Sequence, residues 1–405
     1  MRTVGIICEC NPFHAGHGYL IEQAKQSGAD AVVALMSGCF VQRGEAAIVE
    51  PFSRAEIMLL GGADAVLELP FPYSAGSAEF FGGAGVELLD RLGVTELWFG
   101  SECGDIDRLK RLSEATDDPQ FWEHYTKTAE GSEGTAAAFL SCLQSFCGDG
   151  EPCLSNDILG ISYLTALRKR GSKIKPVTIK RVGSAYREDS VGEETQIPSA
   201  TALRRLWKEK GLEEVLPYLP KGSDAVLNPC VQRAKAPADL SHAEALILGK
   251  LRLTPAEELE PIAELSGGLG NRMADAASKA TSLEELLRLT ETKKYPTARL
   301  QRGILFALTG VTREDLRRSP AYVRLLAANE RGCAFLADCR KTLELPVVTR
   351  KSDLPASDEA EKQTAWAEKA YALYTLCTPD TASCEGMWRQ NPVIRSNPTG
   401  KKREK

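Results

Sequence analysis

Two of the four histidines in this chain stand three residues apart, in Cys8-Glu9-Cys10-Asn11-Pro12-Phe13-His14-Ala15-Gly16-His17. A helical pattern of apolar residues, Leu20, Ile21 and Ala24, begins directly after them. The start of a helix leaves backbone N–H groups unpaired and carries a partial positive charge, so imidazoles placed there add donors to a point that already attracts anions. The phosphates of a nucleotide are the anion that such a strand–loop–helix unit suits. Gly16 lets the backbone approach a ligand closely. The same pair also reads as a capping arrangement or as half of a metal site. No third ligand stands at a suitable spacing, so no metal site is expected.

A second candidate lies far downstream, where Ile197-Pro198-Ser199-Ala200-Thr201-Ala202-Leu203-Arg204 opens a helical pattern with hydroxyls in its first turn. Two stretches are locally basic. Residues 158–187 carry eight Lys or Arg (168, 169, 170, 173, 175, 180, 181 and 187) and no acid, and residues 291–302 carry four basic residues against one acid, with Tyr295 among them. Each is a place for a phosphate-rich partner, and each alone is equally a solvated face.

Composition bounds these readings. A net charge of -5 gives no support to a globally basic nucleic-acid binder, so any polyanion site must be local. The chain has 405 residues, 43% apolar and 26% charged, which fits a globular protein of more than one domain. No apolar run nears the roughly 20 residues of a membrane span, and no signal peptide is read at the start, so a cytoplasmic protein without membrane association is expected. Twelve cysteines without any C-x-x-C spacing argue against a zinc ribbon or a redox pair and for buried free thiols. His124 and His242 fall within helical patterns and read as packing or surface residues. Cys8 and Cys10 end an apolar strand, and no thiol chemistry is assigned to them.

The elements that must position these residues follow from periodicity. Apolar runs over 3–8, 30–36, 65–69, 96–99 and 174–182 alternate with helical patterns over 17–27, 51–60, 78–92 and 158–170, which predicts a doubly wound parallel sheet of the α/β class. Its ligands should lie at the carboxyl ends of the strands. Residues 105–148 read as helical with a break at 131–134, and 187–196 as a flexible loop. Pro and Gly punctuation over 217–228 places a domain boundary there, so that 1–216 form one domain and 217–395 a second, α-helical one. Helices are predicted within the second over 242–253, 283–289, 300–308, 321–336 and 361–376. Residues 396–405 read as a disordered basic tail.

Asn11-Pro12-Phe13-His14-x-Gly16-His17 after a first strand resembles the HxGH signature of the nucleotidyltransferase superfamily, whose members attack the α-phosphate of ATP and release pyrophosphate. The segment from Ile197 to Arg204 resembles that superfamily's second element, I-S-x-T-x-x-R, with Pro198 as an extra residue. Gly5 to Leu20, Phe99-Gly100-Ser101-Glu102, Ser155-Asn156-Asp157-Ile158-Leu159-Gly160, Lys180-Arg181, the Ser199 helix start and Lys293 to Arg302 resemble, in order, the bacterial tRNA(Met) cytidine acetate ligase family. Cys10 and Ala15 stand where that family's pattern has an aromatic residue and an asparagine.

This resemblance implies a two-step ligase. ATP and acetate give acetyl-adenylate and pyrophosphate, and N4 of the wobble cytidine of elongator tRNA(Met) then takes the acetyl group. It implies His14 and His17 as the catalytic pair and Mg²⁺ accompanying ATP. The implied ATP site comprises Ile7, Cys8, Glu9, Cys10, Asn11, Pro12, Phe13, His14, Ala15, Gly16, His17, Gly18, Tyr19, Leu20, Gly100, Asn156, Arg181, Val182, Ser199, Thr201 and Arg204. Lys293, Lys294, Arg299 and Arg302 are implied on the tRNA side, and no protein partner is. Glu9 points at the site as a base or a cation ligand. Two other readings stand beside this one. A small-molecule adenylyltransferase of cofactor biosynthesis fits the ATP motifs, against which stand the extra domain and the basic clusters. A non-catalytic RNA-binding protein is opposed by the complete set of motif residues.

Overall fold

A computed structural model describes residues 1–130, 135–148, 150–151, 153–181, 198–339 and 345–396. Val182, the predicted loop 187–196, the break at 131–134 and residues 397–405 of the tail fall outside them.

The β-branched and apolar runs form the strands β1 (Thr3–Cys8), β2 (Ala31–Ser37), β3 (Ala65–Leu69), β4 (Glu96–Ser101) and β5 (Lys175–Lys180). The helices of this part are α1 (Ala15–Gln26), α2 (Pro51–Leu60), α3 (Ala78–Arg91), α4 (Ile106–Ala115), α5 (Pro119–Glu130), α6 (Thr135–Cys147), α7 (Ser155–Arg170) and α8 (Ala200–Lys210). After them come α9 (Ser223–Gln232), α10 (Glu244–Leu253), α11 (Ala256–Leu259), α12 (Leu269–Lys279), α13 (Leu283–Thr290) and α14 (Thr297–Thr309). The chain then returns to strand in β6 (Val323–Asn329), α15 (Glu330–Cys339), β7 (Val347–Val348), α16 (Asp358–Tyr374) and β8 (Val393–Arg395).

The sheet order is β5-β4-β1-β2-β3-β6-β7, with β8 also on β6. β1 pairs in parallel with both β2 and β4, so the chain winds outward in one direction through β3 and then in the other through β4 and β5. The order therefore reverses at β1, and the crevice beyond its carboxyl end is the position at which doubly wound sheets bind ligands. Every residue of β1 and β2 is buried, because helices cover both faces. Val4 and Ile6 face a core shared with α1, α2 and α8, whereas Ile7 faces one shared with α3 and α7. A Cβ on Gly5 would lie 2.8 Å from Leu89, so only glycine lets α3 pack this close to β1.

The helix predicted over 321–336 is corrected: the first part is β6, antiparallel to β3, and only the second part is helical. All seven residues of β6 are buried, and in an apolar run buried on both faces the spacing does not separate strand from helix. The sheet thus extends into the stretch expected to be wholly helical. The helical part proper, from α10 to α14 with α16, has its own core around Leu269, Met273, Leu300, Ile304 and Trp366. Phe40 and Val41, from the turn after β2, are buried in that same core.

Candidate active site

His14 is the N-cap of α1, in extended conformation, and its Nδ1 accepts the Gly16 N–H at 3.0 Å. His17 Nδ1 accepts the His14 N–H at 3.2 Å. Each Nδ1 is an acceptor, so in the neutral rings the proton sits on Nε2. The rings lie 4.0 Å apart, and both line the cavity above the carboxyl end of β1. Burial, helped by the charge of Arg181, lowers the His14 pKa to about 4 and holds that of His17 well below the ordinary value. At neutral pH the site therefore presents two uncharged Nε2–H donors at the start of α1. A Cβ on Gly16 would fall 2.7 Å from the His14 ring, so this glycine makes room for the imidazole itself.

The loop before α1 is held from below. Phe13 is buried against Gly61, where a Cβ would come within 2.3 Å of its ring. Cys10 takes a left-handed φ of 49°, and Asn11 Oδ1 accepts the Ile48 N–H at 2.7 Å. Arg54, 1% exposed, donates to the carbonyls of Glu9 (2.8 Å), Val49 (2.8 Å) and Ser37 (2.9 Å), and also to Gly38. That single guanidinium fixes the carboxyl ends of β1 and β2 to one another.

Ser199 caps α8 by accepting the Ala202 N–H at 3.1 Å. Arg204, one turn further, donates to the Asn11 carbonyl at 2.8 Å and pairs with Glu45 at 2.7 Å. The two motifs therefore meet on one cavity although almost the whole sheet separates them in sequence. On the opposite wall, the Glu102 carboxylate accepts from Asn156 N (3.0 Å), Asn156 Nδ2 (2.6 Å) and Asp157 N (3.0 Å), while buried Asp157 accepts Glu102 N at 3.0 Å. This reciprocal clamp fixes the end of β4 to the start of α7. Gly100 packs on the Arg181 side chain, and Arg181 Nε is buried with no hydrogen-bond partner among the described residues.

The cavity has a volume of about 1410 Å³, above the roughly 300–1,000 Å³ of ordinary small-molecule pockets. The structure brings Ile7, Cys8, Glu9, Cys10, Asn11, His14, Gly16, His17, Tyr19, Leu20, Gly100, Asn156, Arg181, Ser199, Thr201 and Arg204 onto its wall. Pro12, Phe13, Ala15 and Gly18 lie off the wall. Among the described residues no group of three or more His, Cys, Asp or Glu could hold a metal ion, and no helix is long and apolar enough to cross a membrane.

The basic stretches look different in three dimensions. Arg299 and Arg302 line the cavity mouth, yet both pair with Glu264, at 3.5 and 3.0 Å. Lys293 and Lys294 are exposed. The Tyr295 ring lies under Lys294 and Arg299, and its hydroxyl donates to the Gly267 carbonyl at 3.1 Å. In the acid-free stretch, Arg168 pairs with Asp117 and Arg170 with Glu87, acids supplied by other elements. Sequence reasoning gave no role to Arg54, to Glu45 or to the turn at 41–45 that ends on it. At its tip, Gly44 takes a φ of 79°, and a Cβ there would lie 2.5 Å from the Arg302 backbone nitrogen. This turn seats the helical part against the site. Arg313 and Arg317, also missed, stand exposed at the cavity rim.

A reversing parallel sheet with a histidine-capped helix at its crevice defines a nucleotidyl transferase, and the family described as HIGH Nucleotidyl Transferase matches residues 1–387. Within that class the chain belongs to the tRNA(Met) cytidine acetate ligase family. A protein of that name from Caldanaerobacter subterraneus is 35% identical over 93% of this chain and 95% of its own length. Another of the same name, from a Thermoanaerobacter species, is 34% identical over 98% of this chain and 100% of its own. The crystal structure of Thermotoga maritima TmcAL bound with alpha-thio ATP superposes with a TM-score of 0.89 at 30% identity, covering 98% of this chain and 100% of that one. Its apo form gives 0.90 at 31% identity, with the same coverage. The resemblance read from the motifs is thus confirmed, and the small-molecule adenylyltransferase is not favoured.

Proposed function

We propose that this protein activates acetate with ATP and transfers the acetyl group to N4 of the wobble cytidine of elongator tRNA(Met), giving N4-acetylcytidine. One observation carries the reading beside the family: the HxGH helix start and the Ser199–Arg204 helix start meet on one cavity, tied by the Arg204–Asn11 hydrogen bond. In the first step, an acetate oxygen attacks the α-phosphate and pyrophosphate leaves. Charge grows on oxygens that face the Nε2–H groups of His14 and His17, and fixed donors at such a point lower the barrier most. Ser199, Thr201 and Arg204 receive the β- and γ-phosphates in this reading, and the unpartnered Nε of Arg181 is a donor awaiting an anion. Gly100 and Asn156 border the nucleoside. Mg²⁺ would accompany ATP and offset charge on its phosphates, and among the described residues no group of three or more His, Cys, Asp or Glu is placed to hold it. A cavity larger than one nucleotide needs leaves space for an incoming base beside the adenylate. Lys293 and Lys294 lie on the tRNA side, and the reaction belongs in the cytoplasm.

Incubation with ATP, acetate and unmodified tRNA(Met), followed by nucleoside mass spectrometry, tests this. The expected result is an acetyl increment on the anticodon cytidine. AMP transfer to a small phosphorylated acceptor, with no increment on tRNA, would instead establish an adenylyltransferase.

A further inference from the structure

The cavity extends well beyond the end that the helix starts of α1 and α8 define. Asn156, at the start of α7, and Lys169, in its last turn, both line it, so it follows that helix for about 20 Å. Small residues line it on the way: Ser162 and Ala166 of α7, and Gly83 of α3, where a Cβ would meet nothing within 4 Å. Toward the far end stands Trp122 of α5, also on the cavity wall. Its Nε1 donates to the Thr116 carbonyl at 2.8 Å, and the next residue, Asp117, pairs with Arg168 of α7 at 2.6 Å. The indole is thereby tied to the last turn of α7. It lies edge-on to Phe121 at 5.1 Å and to Tyr125 at 5.9 Å, yet it is 45% exposed. Tyr125, half-buried, and Phe139, 5.7 Å from it, line the cavity as well.

Cations are set along the same wall. Lys169, Arg313 and Arg317 are exposed, line the cavity, and form no ion pair among the described residues. Asp117 and Glu87 are engaged by Arg168 and Arg170 instead. A lone exposed tryptophan needs no explanation. One pinned by a hydrogen bond, at a groove lined with unpaired cations, has the chemistry that a single strand of nucleic acid uses: its bases stack on rings while its phosphates meet the cations. An apolar ligand would leave the cations unused, and duplex RNA would leave the rings unused. Resting on the ligase reading above, we propose that this groove carries the anticodon-loop strand that bears the acceptor cytidine, with one base of that loop stacked on Trp122. The cytidine enters at the Asn156 end, beside the adenylate. A length of about 20 Å holds several nucleotides, since each advances a stacked strand by about 3.4 Å. Every base has a π face, so this platform positions the loop without choosing its sequence.

The test uses a synthetic anticodon stem–loop of tRNA(Met), with an abasic residue placed in turn at each loop position other than the acceptor cytidine. Trp122→Leu keeps an apolar side chain against Phe121 but removes the ring, and Trp122→Phe keeps a ring. In wild type, one abasic position should weaken binding by about 5–100-fold. Trp122→Leu should weaken binding of the intact loop by a similar factor, with no further loss at that position, and Trp122→Phe should stay within about threefold of wild type. The salt dependence of binding in Trp122→Leu should match wild type, because no phosphate contact is lost, whereas Lys169→Glu should lower it by about 0.7. The KM for ATP should not move in these variants. Equal losses in Trp122→Leu and Trp122→Phe, or losses that add at every abasic position, would make the indole a packing residue and overturn the proposal. A wild-type protein indifferent to every abasic position would overturn it without any variant. If wild type consumes ATP but makes no acetylcytidine, the ligase reading fails; if it makes acetylcytidine and Trp122→Leu binds the loop normally, this inference fails alone.

Discussion

Arg204 donates from Nη1 to the carbonyl of Asn11 at 2.8 Å while its Nη2 lies 2.7 Å from Glu45. A single buried guanidinium thus joins the helix start of the second motif to the loop of the first and to the turn after β2. The fork geometry matters, because a lysine ammonium cannot serve two partners in these fixed directions. Arg204→Lys should therefore behave almost like Arg204→Ala. Both should reduce ATP–pyrophosphate exchange by about 10²-fold, since a positioned donor to the phosphates is lost. Both should also leave Glu45 unpaired and lower the melting temperature. Rescue of exchange by lysine would show that only the charge counts.

Arg54 performs a related task with no contact to substrate. It is 1% exposed, and carbonyls of Glu9, Ser37, Gly38 and Val49 accept from it. Arg54→Met fills the volume but leaves those carbonyls without donors in a region closed to water. Urea unfolding should show a loss of about 3–5 kcal/mol, within the range for removing a buried charge from its partners. A loss below about 1 kcal/mol would mean that water or a shifted backbone satisfies the carbonyls.

Arg204 was legible as a site residue, and Arg54 marks where the sequence stopped being legible. The parallel sheet, the helix starts and the HxGH loop were readable because each rests on local signals: β-branched runs, a glycine between two histidines, hydroxyls at a helix start. Arg54 reads in sequence as a polar residue on an amphipathic helix, since what it binds comes from three other loops. The same blindness affected charge counting. Residues 158–187 contain no acid, yet Asp117, in the turn after α4, and Glu87, on α3, pair with Arg168 and Arg170. β6 was misread because a doubly buried strand carries no periodicity, and its partner β3 lies far back in the chain.

The buried histidines give the protein a pH signature. His14 has a pKa of about 4 in the folded state against 6.5 when exposed, because burial penalises its charged form. Between these values the unfolded chain binds more protons, so stability rises with pH through that window and is lost as pH falls from 6.5 toward 4. His17 acts in the same direction. The full effect of His14 is up to about 3 kcal/mol. Melting temperatures across this range should fall steeply in wild type and less steeply in His14→Gln. Identical slopes would mean that the imidazole is protonated in the folded protein near pH 6.

The cavity rim makes a final distinction, between cations that hold the protein together and cations left for RNA. Arg302 is held by Glu264, and its side chain is only 11% exposed. Arg313 and Arg317 stand exposed on the same cavity, and neither forms an ion pair among the described residues. The nearby Asp315 is already engaged by Thr312 and Arg318. The segment is fixed in place by Tyr73, which donates to the Arg318 carbonyl at 2.7 Å, and by Arg91, which donates to that of Pro320 at 2.6 Å. Guanidinium groups without an ion pair, carried on a segment held at the cavity rim, suit the phosphates flanking the incoming nucleotide. Arg313→Glu with Arg317→Glu should weaken tRNA binding and reduce its dependence on log salt by about 1.5, at roughly 0.7–0.9 for each phosphate no longer neutralised. The KM for ATP and the melting temperature should not move. Arg302→Glu should do the reverse, lowering the melting temperature through repulsion with Glu264 before any effect on the salt dependence. If both variants only destabilise the fold, the RNA path does not cross this rim.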